Sequence, residues 1–317
     1  MPTTTTAHVW FTPAREADRF LPEGPRVLPG TDDLIWVNIQ TAPDATTGGL
    51  HLARRDGTAP RTVPLPGRPG FVFPTNKPGV VFVGCEKTLG TVELSTGKWH
   101  PLATIPDDNP RTIINDGEIV PGGKAVVFGT KDTKFDHEAA LAHLYLYTVD
   151  DNRITVLADG MTCSNGKAFP DGETLCDIDT PRHVVTKYEL DQADRSVTDR
   201  GIALDLRHIH ASPDGMCDVG DGTVIIAFYN GHAETTDGRA ARFRLDTGAV
   251  VDEWLTPGSP RVTCPLLFDD GGTVKLLLTT AHEGMPADQR ANCPNAGCLF
   301  IADTGLTTAP PIAVVRL

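Results

Sequence analysis

Six times along the chain a short apolar run follows a turn rich in Gly, Pro or Asp: "DDLIWVNI", "GVVFVGC", "KAVVFGT", "ETLCDIDT", "TVIIAFYN" and "VKLLLTTA". The turns that introduce them read "PGT", "NKPG", "PGG", "PDG", "GDG" and "DDGG". Runs this short, bounded by turn residues, are buried strands rather than helices. Most are followed by a second run of alternating pattern, as in "GLHLARRDG", "GTVELSTGKW", "HLYLYTVDDNRITVL", "VVTKYELDQADRSVT" and "RAARFRLDTGAVVDEW". A pair of hairpins recurring every ~40 to 50 residues is the unit of a four-stranded propeller blade.

Six such units predict an all-β chain: one six-bladed β-propeller domain of four-stranded antiparallel blades over residues 1–317. Two packed β-sandwiches, the runner-up, leave six units of similar design unexplained. "CLFIADTG" belongs to the last blade, and the end segments "AHVWFTP" and "PPIAVVRL" are spare strands expected to close the ring by joining a terminal blade. Helical pattern is nearly absent; "KFDHEAALAH" and "PADQRAN" read as single turns in loops. The 31 Gly and 26 Pro fit a chain of many turns.

A net charge of −13, with no basic cluster, argues against a nucleic-acid partner and favours a small molecule or a cation. The start of the chain has no basic segment leading into an apolar one, and nothing approaches the ~18 apolar residues of a membrane span. The expectation is a cytoplasmic protein without a membrane partner. Seven cysteines, an odd number without zinc-type pairs, are expected to be buried free thiols.

In a propeller the loops at one end of the innermost strands converge on the central channel, so polar residues before successive inner strands can meet. Glu23, Asn115, Asn165 and Asp214 stand at similar offsets before their Gly-rich turns and strands. Asn-Gly and Pro-Asp-Gly are also ordinary turn sequences, which is the plain reading for any one of them. Together they offer two carboxylates and two amides, an all-oxygen set suited to a hard divalent cation.

The ordered series "EGPRVLPGTDDLIWVNI", "NDGEIVPGGKAVVFGT", "NGKAFPDGETLCDIDT", "PDGMCDVGDGTVIIAFYNG" and "TTAHEGMPADQRANCPNAGCLFIAD" resembles the senescence marker protein (regucalcin)/gluconolactonase family of six-bladed propellers. The resemblance implies one divalent metal held by Glu23, Asn165 and Asp214, with Asn115 as substrate contact or fourth ligand. It also implies hydrolysis of a small-molecule cyclic ester, a sugar lactone above all. Ca2+ is the first expectation, with Zn2+, Mn2+ or Mg2+ as alternatives. Asn165 is then a channel residue, whereas Asp171 shapes an outer turn. Such a cation polarises the carbonyl and activates water, with Asp214 as general base.

The chain departs from the family where many members have Arg two residues before Asn-Asp-Gly: Ile113 stands there, and the nearest arginine is Arg111. Asn38 and Val120 stand where Asp is common, which predicts a less polar pocket. Arg111 is retained as a substrate contact, and His208 and His210, shortly before Asp214, as further contacts or proton relays. Alternatives are a phosphotriesterase-like hydrolase, a metal-assisted non-hydrolytic enzyme and a non-catalytic calcium-binding propeller.

Overall fold

The six apolar runs become the second strands of six sheets: Asp33–Asn38, Val80–Cys85, Ala125–Asp132, Thr174–Asp179, Thr223–Tyr229 and Val274–Thr280. Each sheet has a neighbour on both faces, so both sets of alternating side chains must be apolar. Ile35 and Val37 pack with Val72 and Val81 of the next sheet, while Leu34 and Trp36 pack with Leu277 and Leu299 of the previous one. The computed structural model, which describes residues 2–317, therefore has six apolar slabs between blades rather than one central core.

The innermost strands are Pro22–Val27, Pro69–Pro74, Thr112–Ile119, Ser164–Ala168, Ser212–Asp218 and Val262–Asp269. Each packs against the next, and the last returns to the first, closing a ring around a channel. Five sheets have four strands and one has five. This is the six-bladed propeller expected from the repeats.

Closure is made by the start of the chain. His8–Phe11 pairs antiparallel with Leu299–Asp303 as the outer strand of the sixth blade, and Thr3–Thr6 lies parallel on Val250–Thr256 as a fifth strand of the fifth. The other end behaves differently. In "PPIAVVRL" only Val315 bridges, to Thr75, with Val315 N–H donating to the Pro74 carbonyl at 2.9 Å. Pro310 and Pro311 have no N–H to give a ladder, so this segment crosses the far mouth of the channel instead of adding a strand. Ala287–Asn292, from "PADQRAN", is one short α-helix; "KFDHEAALAH" is a loop running into a strand. Among the described residues no helix is long and apolar enough to cross a membrane, and all seven cysteines are free, six of them buried.

Candidate active site

All six innermost strands slip register at the same height. The slips fall at Glu23/Arg26, Pro69/Phe71, Ile114/Gly117, Ser164/Lys167, Pro213/Met216 and Val262/Pro265. A bulge bends its strand and re-aims the side chain at the slip. Asn115, Asn165 and Asp214 sit inside their bulges and Glu23 at the edge of its own, which turns four residues from separate blades toward one mouth. Gly166, beside Asn165, lets two inner strands approach: a Cβ there would lie 2.5 Å from the Asp214 carbonyl oxygen.

Glu23, Asn115, Asn165 and Asp214 line one cavity of about 410 Å³, together with Lys131 and Cys163. The Asn165 amide donates to Asp214 Oδ1 at 2.5 Å and to Thr180 Oγ1 at 3.0 Å. Asn115 Nδ2 donates to the Ser164 carbonyl at 3.2 Å. Glu23 Oε2 accepts the N–H of Gly24 at 2.6 Å, a contact permitted by the left-handed backbone of Gly24 (φ 53°). Asn38 holds the approach to Glu23 in place: its Oδ1 accepts Leu21 N–H and its Nδ2 donates to the Ala17 carbonyl, both at 2.9 Å.

Burial lifts the Asp214 carboxyl to about 8, against the pull of the Asn165 amide and the Lys131 ammonium; Asp116 and Glu283 add to the rise. Glu23 is held well above its ordinary value by burial first, then by Asp214 and Asp116. Neither carboxylate has an ion-pair partner among the described residues. A buried and a half-buried carboxylate without an ion-pair partner, beside two amides, form a donor set that fits a hard divalent cation. No three His, Cys, Asp or Glu side chains are grouped as a metal site among the described residues, because half of this set is amide. Burial pushes the Cys163 thiol up to about 12, which leaves no thiolate to act as nucleophile at neutral pH.

The remaining candidates lie elsewhere. Arg111 donates from Nε to Asp132 Oδ1 at 3.1 Å and from Nη2 to Asp136 Oδ2 at 3.1 Å, outside the cavity lining. His208 and His210 are exposed and do not line it either. Asp171 is exposed and accepts the N–H groups of Glu173 and Thr174, shaping its turn. Conversely, Lys131, Thr133, Phe135 and Glu283 line the cavity without having been singled out in the sequence. For Lys131, Thr133 and Phe135 the sequence offered only the alternation in "KDTKF", which places them on one side without saying which, and for Glu283 it offered no signal.

The far mouth holds a larger cavity, about 510 Å³, crossed by residues 310–316. Two of its cations are paired, Arg26 with Glu118 at 3.1 Å and Lys167 with Asp177 at 3.0 Å, and Asp218 and Arg316 also line it. The smaller cavity gathers two carboxylates and two amides from four blades and is the better candidate for chemistry.

The family model described as SMP-30/Gluconolactonase/LRE-like region matches residues 21–282. The chain is 27% identical over 293 residues to an L-arabinolactonase of Azospirillum brasilense, covering 91% of both. It is 29% identical over 260 residues to a 6-deoxy-6-sulfogluconolactonase of Pseudomonas putida, covering 81% of this chain and 84% of the relative. Its fold is similar to the crystal structure of a calcium-binding protein, regucalcin, from Agrobacterium tumefaciens, with a TM-score of 0.83, 21% identity and all of both chains covered.

Proposed function

Because the chain belongs to the SMP-30/gluconolactonase/LRE-like family, we propose that it is a divalent-metal-dependent lactonase that opens a small cyclic ester to a hydroxy acid. The observation that carries this reading is the pair of carboxylates without ion-pair partners, buried Glu23 and half-buried Asp214, set beside Asn165 and Asn115 in a cavity of about 410 Å³. The names of relatives as lactonases of sugars support the substrate class.

Glu23, Asn165 and Asp214 would hold the cation, with Ca2+ the first choice for an all-oxygen set. Bound there, it supplies a Lewis acid for the ester carbonyl and offsets the charge of two carboxylates. Asp214 takes a proton from the attacking water as its oxygen bonds to the carbonyl carbon, and the bond from that carbon to the ring oxygen then breaks. The same carboxyl returns the proton to the ring oxygen as it leaves. The Asn165 amide, already on Asp214 Oδ1, fixes the orientation of that carboxylate. Asn115 is placed to orient the ester. The walls around Cys163 and Tyr229 restrict water around the reacting atoms.

The test is a panel of sugar lactones read by acid release, run on metal-replete protein, on chelated protein whose metal content is checked by elemental analysis, and after metal return. Hydrolysis that disappears on chelation and returns with the cation is expected. Full activity in verified metal-free protein overturns the metal role. Turnover of organophosphates without any lactone turnover moves the protein to phosphotriester hydrolysis.

A further inference from the structure

One wall of the cavity is built by a single segment whose residues alternate front and back. Lys131, Thr133 and Phe135 face the cavity. Asp132, fully buried, and Asp136 face the other way and are joined by the Arg111 guanidinium. Asp132 also accepts the N–H of Lys134 at 3.0 Å and of Asp136 at 3.2 Å, while Thr133 N–H donates to the Arg111 carbonyl at 2.8 Å. The back of the wall is thus tied down.

The front presents polar groups that a ligand can reach. The Lys131 side chain makes no ion pair or hydrogen bond among the described residues, although its charge reaches Glu23 and Asp214. An ammonium that has only the carboxylates of the cavity near it, and shares these with a cation when one is bound, is free to pair with an anionic ligand. The Thr133 hydroxyl, two residues on, likewise has no protein partner. Phe135 is 45% exposed at the mouth, held at φ 50° where a bulky side chain is rarely found. The Asp132 and Asp136 bonds stabilise that backbone and keep the ring at the opening.

We infer that Lys131, Thr133 and Phe135 form a specificity subsite for a lactone bearing an anionic substituent, with Lys131 and Thr133 binding the anion and Phe135 covering the apolar face of the ring. Carboxylate, sulfonate and phosphate share the required chemistry. Arg111 is the positioning residue of this subsite: it does not touch substrate but fixes the wall that does. The inference rests on the lactonase reading for the reacting end of the molecule and on Lys131 for the other.

The experiment compares a neutral aldonolactone with lactones of the same ring size carrying a carboxylate, a sulfonate or a phosphate, at saturating cation, in wild type, Lys131→Met and Lys131→Arg. The anionic lactones should have the lower KM. Lys131→Met should reduce their kcat/KM on the order of 10 to 100-fold more than that of the neutral lactone, as expected for a charge-assisted contact, the neutral lactone's own loss reading the effect of Lys131 on Asp214. Lys131→Arg should restore much of the preference, and the rank of the three anions identifies the group bound. Equal losses on neutral and anionic lactones, or a wild type that favours the neutral one, overturn the subsite.

Binding of non-hydrolysable cyclic ethers, neutral and phosphate-bearing, measured by calorimetry, separates this inference from the lactonase reading. If no lactone is hydrolysed but the anionic ether binds through Lys131, the subsite stands and the lactonase reading fails. If lactones are hydrolysed and the anionic ether binds no better than the neutral one, the subsite falls alone. If there is neither turnover nor binding, both fall.

Discussion

Glu23 and Asp214 are carboxylates of one mouth, the first buried and the second half-buried, and their partners set them further apart. Glu23 leans back on the N–H of its neighbour Gly24, whereas Asp214 is held by a side-chain amide that aims it into the cavity. If Asp214 is both ligand and base, Asp214→Asn loses hydrolysis by roughly 100 to 10,000-fold even at saturating cation, because an amide cannot take the proton from water. Glu23→Gln weakens cation binding and is restored by excess metal. Equal restoration of the two variants makes Asp214 a ligand only. A second residue reports on the fold rather than the site. His51 is buried against the Trp36 ring at 5.9 Å, and burial lowers its imidazole to about 4. The fold favours neutral His51, so its contribution is complete above the unfolded value near 6.5 and is lost as pH falls from there toward 4. Between pH 7.5 and 5 this removes about 2 kcal/mol. His51→Gln should flatten the acid side of a urea-midpoint profile, and an unchanged slope would discard the assignment. The four mouth residues were legible because Gly or Asp-Gly follows each. Lys131 was not, since its meaning depends on having no partner, which only three-dimensional packing reveals. Arg111 was read toward substrate because Asp132 and Asp136 gave no sign in the sequence of closing around it.

The second strands of the blades were the most legible elements. A strand buried on both faces must be apolar throughout, and such a run between turns has few other readings. The register slips were not visible, because a bulge is fixed by how neighbouring inner strands fit and not by a residue type. Glycine is the trace they leave, and it can be tested. Gly166→Ala places a methyl 2.5 Å from the Asp214 carbonyl oxygen, a contact with backbone that no rotamer relieves. The inner strands of the fourth and fifth blades must then separate. A loss of about 1 to 3 kcal/mol is expected from overpacking, together with a larger proportional loss of activity than of stability, since the same shift moves Asp214. Denaturant unfolding and lactone turnover measured on one preparation check both. A variant as stable as wild type would show that the strands have room the structure does not. At the chain ends the pattern "AHVWFTP" was enough to read a strand, whereas "PPIAVVRL" carried strand-like residues after a proline pair that bars a ladder.

Each blade needs its outer strand, and the sixth takes its own from the start of the chain, His8–Phe11. Trp10 and Phe11 lie 6.2 and 5.4 Å from Trp36, ring to ring, so the closing strand bridges the sixth blade to the first. Trp10 Nε1 also donates to the Arg55 carbonyl at 2.7 Å. Thr3–Thr6, in contrast, adds only an outer, largely exposed strand to the fifth blade. Two truncations therefore separate closure from decoration. Removing residues 2–6 should lower Tm by a few degrees at most. Removing residues 2–11 strips two half-buried aromatic side chains from the junction, a loss below the roughly 3 to 5 kcal/mol of a fully buried aromatic for each, and leaves the outer side of Leu299–Asp303 unpaired. A fall in Tm of about 10 °C or more is expected for a chain of this size, with aggregation through the open edge. The Glu23 mouth lies in the first blade, which the closing strand fastens to the sixth, so cation affinity should fall in the longer truncation and hold in the shorter. Equal melting of the two truncated proteins would mean that the inner ring alone holds the blades together and that the outer strand is dispensable.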